Sequence, residues 1–559
     1  MEKIFRIFNK EYGNINQAAI LLGFFAFLSQ ILGLFRDRSF AHFIGPSPLL
    51  DTYYAAFRIP DLIFISIASL ASITVLIPFL LQRMQGEKVT EEAKKFLNDI
   101  FTVFFLTIVF ASFLAFILMP YIAYLVAPGF PPEMQAKVVV LSRIMLLSPI
   151  LLGLSNLFGS ITQLFRKFFL YALSPVFYNL GIIIGVLFLY PIFGIYGLAL
   201  GVVLGALMHF LIQFLASSKC GFTPRFSKSI NFNDLKKMIL ISLPRTLGLS
   251  ANNIALIFIV SFASYLQGGS ISIFNFSLSM QSVPLGIIGL SYAVAAFPIL
   301  SSSYSSGKIK EFKSHLRSAA KQIIFWSLPV TFLFIVLRAQ IVRVILGSGS
   351  FSWEHTRLVA ASLALFSISI VAQGLIALFA RAYYAGGNTR QPLIINLASS
   401  FSIVVFSALF LYVFQHYSFF RYFMESLLKV SDISGTEVLM LPLAYSLGTI
   451  INFILFWFSI QKDFIKKEQF IAKTFFQSLG ASFFIGAVTY LSLNVFAPIF
   501  GTITFWGIFL QGFISGILGI GAGILVLYLL KNEEIKDIAK TFHTRFWRVK
   551  VIVPPQEGL

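Results

Sequence analysis

Six charged residues lie directly beside long apolar runs near the start of the chain. They are Arg36, Asp37, Arg38, Asp51, Arg58 and Asp61. A guanidinium group presents a planar fork of N–H donors that fits two oxygens of one phosphate group at once. Because arginine rather than lysine supplies the positive charge in this stretch, the residues indicate an anionic, phosphorylated ligand.

These charges either anchor helix ends at a membrane surface or line an internal site. For Arg38 and Asp61 we expect a solvated connection with a few ion pairs. Arg36 and Arg58 are each joined to an apolar helix without a polar spacer. We therefore expect these two arginines to face an internal cavity.

Arg245 lies inside a later apolar run, in the stretch ISLPRTLGLSANN. A charge at the centre of a membrane span costs at least about 2.5–3.5 kcal/mol, so such residues normally face a water-filled interior. Its position near the start of the span also allows the side chain to reach the membrane surface. Pro244, Gly248 and the following asparagines indicate a broken, polar helix, which favours the cavity.

The elements that must position these side chains are membrane helices. The chain has 559 residues, of which 58% are hydrophobic and 11% charged, against about 25% charged in soluble domains. Runs of about 20 apolar residues predict an all-α polytopic protein with fourteen spans. The predicted spans are 17–35, 59–81, 99–125, 138–164, 168–190, 192–216, 238–266, 270–300, 322–346, 356–379, 391–414, 438–460, 474–498 and 503–530.

The positive charge of the chain follows its expected orientation. The formal net charge is +20, and most basic residues, such as Lys308, Lys310 and Lys313, fall on the side that holds both termini. The positive-inside rule assigns that side to the cytoplasm. Contact with anionic lipids then accounts for the charge, and no nucleic acid partner is expected.

No sequence feature typical of an enzyme is present. The sequence contains no Walker A motif, no HExxH and no Cys/His cluster, and Cys220 is its single cysteine. No two acids share a helical face within a predicted span, as general acid–base chemistry would require. We predict a protein that is not an enzyme and that has neither a cofactor nor a metal.

Acidic residues are scarce in the second half of the chain. No aspartate occurs between Asp234 and Asp432, and Glu311, Glu354 and Glu425 are predicted to lie in loops. A carboxylate-based Na⁺ or H⁺ site is therefore not expected there. The membrane potential is the simpler driving force for transport.

Two sequence landmarks recur in the same order at nearly the same offset. The stretch IPFLLQRMQGEKVTEEAKKF, from Ile77, is echoed by FPILSSSYSSGKIKEFKSHL from Phe297, and QLFRKFFLYALSP is echoed by LFARAYYAGGNTRQP. This pattern predicts parallel six-helix repeats around a central cleft. The predicted domains are an N-terminal lobe (1–218), a C-terminal lobe (219–466), and two further helices with a basic tail (467–559).

Five motifs resemble those of the MurJ/MviN lipid II flippases, within the multidrug/oligosaccharidyl-lipid/polysaccharide exporter superfamily. They are SQILGLFRD (29–37), DTYYAAFRIPDL (51–62), VAPGF (126–130), VPLGIIGLSYAVAAFPILS (283–301) and ARAYYAGGNTRQP (380–392). The resemblance implies two lobes around a cationic cavity and outward movement of the undecaprenyl-pyrophosphate-linked peptidoglycan precursor. It also implies a groove for the lipid tail on spans thirteen and fourteen, and a bacterial inner-membrane location.

The chain departs from the family pattern at several cationic positions. Many members have arginine where Gln30 stands, an arginine pair where Phe64 and Ile65 stand, and an arginine where Ser279 stands. Arg58 and Arg245 would substitute for these cations, or the substrate differs.

We therefore predict a monomeric flippase that carries lipid II by alternating access. The predicted substrate-binding residues are Ser29, Arg36, Asp37, Asp51, Arg58 and Arg245. The arginines would attract the diphosphate, and Asp37 and Asp51 would pair with arginines in alternate states. Bending is assigned to Gly33, Pro244, Gly248, Pro284, Gly286 and Gly289.

Three other functions remain open at the level of sequence. The chain could be a flippase for another polyprenyl-linked glycan, a drug exporter of the same superfamily, or a non-transporting scaffold for cell-wall enzymes. Drug export predicts a cavity acid for cationic drugs. A scaffold predicts that charge-neutral substitutions in the cleft have no effect.

Overall fold

The fold is entirely helical in the part of the chain that the structure describes. The structure is a computed structural model, which describes residues 15–68, 76, 80, 83, 90–165, 167–220, 222–465 and 471–536. No β-strand occurs among these residues. The predicted all-α class is confirmed.

Twenty α-helices are numbered here in chain order over the described residues. They are α1 (Ile15–Phe43), α2 (Pro48–Ala68), α3 (Glu91–Val126), α4 (Pro132–Met145), α5 (Leu147–Leu164), α6 (Phe168–Ile184), α7 (Tyr190–Phe193), α8 (Ile195–Lys219), α9 (Phe232–Ala263), α10 (Ser270–Pro284), α11 (Ser291–Ser305), α12 (Ile309–Val336), α13 (Arg338–Leu346), α14 (Trp353–Ser367), α15 (Ile370–Ala385), α16 (Arg390–His416), α17 (Ser418–Leu428), α18 (Met440–Ile460), α19 (Ala472–Phe500) and α20 (Phe505–Leu529). Wider helical turns occupy Gly185–Leu189, Leu285–Leu290 and Gln461–Ile465, and a tighter 3₁₀ turn occupies Thr436–Leu439.

Most of the predicted membrane spans have a helix at their position. Eleven helices in the described residues are long and apolar enough to cross a membrane, or twelve if the bent pair α14–α15 forms one span. Helices α1 and α2 lie at the first two predicted spans but are not among these twelve. The total of fourteen spans stays a prediction.

The chain forms two compact units. The first comprises Met1–Val283, Val342–Ser369 and Gly386–Trp457, and the second comprises Pro284–Ile341, Ile370–Ala385 and Phe458–Leu559. The three domains predicted from the sequence stay a prediction, as does the internal repeat. Several residues of the first repeat copy, among them Pro78, Gly86 and Arg166, lie outside the described residues.

The first charged cluster lies inside helices, which corrects the predicted end of the first span at residue 35. Helix α1 continues beyond Arg36 to Phe43, and α2 begins at Pro48. Proline suits this first helical position because the amide it lacks would have no intrahelical partner there. Asp51 therefore belongs to the first turn of α2 rather than to a loop.

Three glutamates that were predicted in loops lie in helices. Glu311 and Glu354 occupy the first turns of α12 and α14, where a negative charge favourably faces the helix dipole. Glu425 is buried in α17 and accepts a hydrogen bond from Thr436 Oγ1 at 2.7 Å. The prediction was wrong because amphipathic helix starts and short surface helices carry charges without a long apolar run.

In the first unit, glycines bring α6 and the wider turn that follows it into backbone contact with α8. A Cβ built on Gly181 would lie 2.2 Å from Gly205 Cα, and one built on Gly201 would lie 2.5 Å from Gly185 Cα. Between membrane helices, small residues permit the close van der Waals packing that replaces the hydrophobic effect. These glycines therefore fix the pairing of α6 with α8.

In the second unit, a charged cluster joins α12, α19 and the segment after α20. Lys321 Nζ lies 3.5 Å from carboxylate oxygens of both Glu533 and Glu534. Lys473 Nζ donates to Glu533 at 3.0 Å, and Thr474 Oγ1 donates to Glu534 at 2.8 Å. The cluster holds the end of α20 against its two neighbours.

Three of the residues assigned to bending, Pro284, Gly286 and Gly289, lie at a real irregularity. The wider turn Leu285–Leu290 begins directly after Pro284, whose ring cannot donate a backbone hydrogen bond. A Cβ on Gly289 would lie 2.7 Å from Gly374 Cα. Gly33, in contrast, lies within the continuous helix α1.

A pH-sensitive ion pair fastens the connection between α17 and α18. Arg357 donates to both carboxylate oxygens of Asp432 and to the carbonyl of Lys429. These hydrogen bonds lower the pKa of Asp432 from its ordinary value. Because the folded-state pKa is depressed, the pair is intact above the ordinary carboxyl range and is lost as the pH falls through the lowered value.

We expect pepsin to cleave between residues 429 and 435 faster as the pH falls through the pKa of Asp432. Asp432→Asn removes the charge, so cleavage of this variant should already be fast at the upper end of the pepsin range. Peptide mapping by mass spectrometry measures both rates. An identical pH profile for the two proteins would contradict the assignment.

Candidate functional site

Arg36 is held by two side chains in the first unit. Its Nε and Nη2 donate to Asp37 Oδ1 at 3.0 and 2.8 Å, and its Nη1 donates to Asn179 Oδ1 at 3.3 Å. Asp37 is 1% exposed. A buried carboxylate of this kind needs a cationic partner, because an unpaired buried charge is costly.

Asn179 of α6 is a site residue that sequence reasoning missed. Its Nδ2 lies within hydrogen-bonding distance of Ser29 Oγ at 3.1 Å and of the Pro175 carbonyl at 3.2 Å. It thus joins Ser29 and Arg36, two of the predicted site residues. The signal available in the sequence was an asparagine within an otherwise apolar span, which usually faces a partner rather than lipid.

Ser279 occupies a position where the family pattern has arginine. Its hydroxyl donates to Asp37 Oδ2 in a short hydrogen bond. One carboxylate oxygen of Asp37 therefore accepts hydrogen bonds from Arg36, and the other accepts a hydrogen bond from the neutral Ser279 hydroxyl.

Arg58 is bound by a neutral partner. Its Nη2 donates to Asn275 Oδ1 at 2.6 Å. Its Nε is buried and has no hydrogen-bond partner among the described residues. Most of the hydrogen-bonding capacity of this guanidinium group is therefore not used by the residues that the structure describes.

Asp51 caps the start of α10. Its Oδ2 accepts from the Gly269 amide at 2.7 Å, and its Oδ1 accepts from the Ser272 amide at 2.7 Å and from Ser272 Oγ at 2.6 Å. The first amides of a helix have no intrahelical partner, and a carboxylate satisfies them and favourably faces the helix dipole. Among the described side chains, no arginine pairs with Asp51.

Three polar residues of α10 form one stripe toward α1 and α2. Ser272 contacts Asp51, Asn275 contacts Arg58, and Ser279 contacts Asp37. Their spacings of three and four residues place them on one helix face. We call Ser272, Asn275 and Ser279 the α10 polar stripe.

A cavity of about 290 Å³ lies beside these contacts, within the first unit. Its lining residues are Arg36, Phe40, Tyr53, Tyr54, Phe57, Arg58, Asp61, Phe64, Leu152, Tyr178, Ile182 and Asn275. The cavity thus combines two arginines and one acid with an aromatic wall. Phe64, which stands at a cationic position of the family pattern, contributes an apolar surface.

The expectation of a solvated connection was wrong for Arg38 and Asp61. Arg38 Nη1 donates to the carbonyls of Val344 and Ile345 at 2.8 and 3.0 Å, which stabilises the end of α13. Asp61 lines the cavity near Arg58. The partners of Arg38 are more than three hundred residues away in sequence, which explains why the local pattern did not predict them.

The structure brings together five of the six predicted site residues in the first unit. Ser29, Arg36 and Asp37 belong to one hydrogen-bonded network, and Arg58 and Asp51 reach α10 on the same stripe. Arg245 lies in the range of α9, but its side chain is outside the described residues. No role is assigned to it from the structure.

Solved structures with this fold are membrane transporters. A structure titled "Lipid II flippase MurJ, inward closed conformation" aligns with a TM-score of 0.73 at 24% identity, covering 93% of this chain and 100% of that chain. An inward-facing MATE family multidrug transporter of the MOP superfamily aligns with a TM-score of 0.62 at 17% identity, covering 78% of this chain and 96% of that chain. The fold is that of a polytopic membrane transporter.

A family model described as "Lipid II flippase MurJ" matches residues 40–510. The chain belongs to the lipid II flippase MurJ family, and the resemblance seen in the sequence is confirmed. The probable lipid II flippase of Rickettsia prowazekii is 28% identical over 396 residues, 70% of this chain and 76% of that protein. Its counterpart in Buchnera aphidicola subsp. Schizaphis graminum is 29% identical over 471 residues, 82% and 86% of the two chains. The chain is a multi-pass protein of the bacterial inner membrane.

Proposed function

We propose that this protein moves lipid II, the lipid-linked peptidoglycan precursor, from the cytoplasmic to the outer leaflet, and that the cavity holds its diphosphate. Membership of the MurJ family carries the first part of the proposal. The partly unpartnered Arg58 in the cavity carries the second. None of these observations favours the other functions considered above, which are transport of a different polyprenyl-linked glycan, drug export and a scaffold role.

Charge and geometry support a phosphate-binding role for the cavity arginines. A charge-assisted hydrogen bond is about twice as strong as a neutral one, and a low-dielectric site increases its strength further. Arg58 offers N–H donors that no described residue occupies. A diphosphate supplies several acceptor oxygens, and the aromatic wall excludes competing water.

Asp37 has a second role in this proposal. In the structure it pairs with Arg36 at 2.8 Å. A substrate phosphate that approached Arg36 would compete with this carboxylate for the same donors. Asp37 would thus keep Arg36 compensated while the site is empty, and Asp51 would hold α10 without engaging an arginine.

Orientation and coupling follow from the distribution of charge. Both termini face the cytoplasm, because most basic residues lie on the side of the membrane that holds them. Neither a catalytic step nor a cofactor is needed, since transport requires only binding and conformational change. The protein acts as a monomer among anionic lipids, and the membrane potential acts on the cationic site.

The proposal predicts a large transport defect in Arg58→Ala. Losing two or more charge-assisted hydrogen bonds, at about 1.5–3 kcal/mol each, should lower transport by roughly a hundredfold or more. The test is flipping of labelled lipid II in proteoliposomes, together with growth of a host depleted of its own flippase.

Arg143→Ala is the matched control, because this arginine lies outside the cavity and donates to the Phe116 carbonyl at 3.0 Å. It should transport at the wild-type rate. Full activity of a well-expressed Arg58→Ala protein would reject the role of the cavity. Failure of the wild-type protein to move lipid II would reject the function itself.

A further inference from the structure

Two asparagines contact the cavity arginines through the same local geometry. Asn275 Nδ2 donates to the Ile271 carbonyl, four residues earlier in α10, at 2.7 Å. Its Oδ1 is then left to accept from Arg58 Nη2 at 2.6 Å. Because the NH₂ group points toward this backbone carbonyl, the side-chain carbonyl oxygen faces the guanidinium group.

Asn179 repeats this arrangement on α6. Its Nδ2 donates to the Pro175 carbonyl, again four residues earlier, at 3.2 Å. Its Oδ1 accepts from Arg36 Nη1 at 3.3 Å. The two asparagines lie on helices far apart in the chain, yet each presents an amide oxygen to one cavity arginine.

An amide oxygen and a carboxylate have different consequences for a cation. Both accept a hydrogen bond and fix the direction of the side chain. A carboxylate also cancels the charge, and a substrate anion must then compete with it. An amide leaves the full positive charge available.

Arg58 shows the consequence most clearly. Among the described residues, its hydrogen-bond partner is Asn275, and its Nε has none. Asp61 shares the cavity but forms no ion pair with it within 4.0 Å. Arg36, in contrast, has both an asparagine and a carboxylate as partners.

We propose that Asn275 is a positioning residue that aims Arg58 at the substrate diphosphate without neutralising it, and that Asn179 positions Arg36 in the same way. This inference rests on the proposed function. It assigns the two arginines different roles: Arg58, which has no ion pair with Asp61 within 4.0 Å, is the anchor for phosphate oxygens, and Arg36 is available only when its salt bridge with Asp37 opens.

The test compares Asn275→Asp with Asn275→Ala. Aspartate keeps the shape and the hydrogen bond to Arg58 but adds a negative charge, so it should bind lipid II at least about a hundredfold more weakly. Alanine removes the hydrogen bond that orients Arg58 but leaves its charge unchanged. We expect the affinity for lipid II to fall by only about tenfold. Affinity is measured with purified protein and lipid II in detergent.

Thermal stability supplies the readout that separates positioning from structure. Asn275→Asp should unfold at a higher temperature than Asn275→Ala, because it gains an ion pair with Arg58 although its second carboxylate oxygen then faces the Ile271 carbonyl. The two variants are therefore expected in opposite order for stability and for affinity. A purely structural asparagine would give the same order in both measurements.

Each outcome decides a separate question. If Asn275→Ala binds lipid II more weakly than Asn275→Asp, or if Asn275→Asp unfolds at a lower temperature than Asn275→Ala, the positioning role is overturned while the proposed function stands. If the wild-type protein itself does not bind lipid II, the proposed function fails.

Discussion

Replacing Asp51 with asparagine should abolish transport and lower the thermal stability of the purified protein. The carboxylate accepts three hydrogen bonds from the start of α10, and Asp51 is 2% exposed. Asparagine has one acceptor oxygen, and its NH₂ group would face a backbone donor. We expect a cost of about 2–4 kcal/mol, since a lost helix cap and a buried unsatisfied amide each cost about 1–2 kcal/mol.

Ser272→Ala is the matched control for this prediction. It removes the hydroxyl donor, while both backbone amides keep their bonds to Asp51. Its loss of stability should be about 1 kcal/mol, with transport retained. Thermal unfolding in detergent and complementation of a flippase-depleted host measure the two effects. Equal behaviour of the two variants would show that the cap is not the role of Asp51.

Gly205→Val should prevent accumulation of folded protein. A Cβ at this position would lie 2.4 Å from the Tyr178 carbonyl oxygen, and one on the facing Gly181 would lie 2.2 Å from Gly205 Cα. These are backbone atoms, so no side-chain rotation relieves the clash. We expect a cost of about 3 kcal/mol or more, at the upper end for overpacking. Yield and monodispersity after membrane extraction report the loss.

Gly480→Ala provides the comparison, because nothing lies within 4 Å of a Cβ at that position in α19. It should be expressed like the wild-type protein, or slightly better, since alanine favours helices by up to about 1 kcal/mol. Normal yield of Gly205→Val would mean that α6 and α8 are not in the close contact described.

The membrane helices could be predicted because each corresponds to a continuous apolar run in the sequence. A run of about 20 apolar residues is sufficient for a span, and predicted spans such as 391–414 and 474–498 differ little from α16 and α19. The start of α2 was missed for a specific reason. Its first turns carry Asp51 and Arg58, whose charges interrupt the apolar run but are accommodated by α10.

The partners within the site could not be predicted, because they lie far apart in the chain. Asp37 meets Ser279, and Arg58 meets Asn275, across more than two hundred residues. Sequence reasoning expected Arg36 and Arg58 to face a cavity from their apolar surroundings, and both line the cavity described above. It placed Asp61 in solvent, because nothing local distinguishes an acid that lines a cavity from one in a loop.

The geometry of the α10 polar stripe has a consequence for how the protein switches. Ser272, Asn275 and Ser279 belong to one continuous helix, so a rigid movement of that helix stretches all three contacts together. Intermediate arrangements would leave the charged groups of Asp37, Asp51 and Arg58 without these hydrogen-bond partners in a protein interior that cannot solvate them. The switch between conformations should therefore be all-or-none. Weakening any one of the three contacts should shift the equilibrium between the same two conformations rather than create a half-open state.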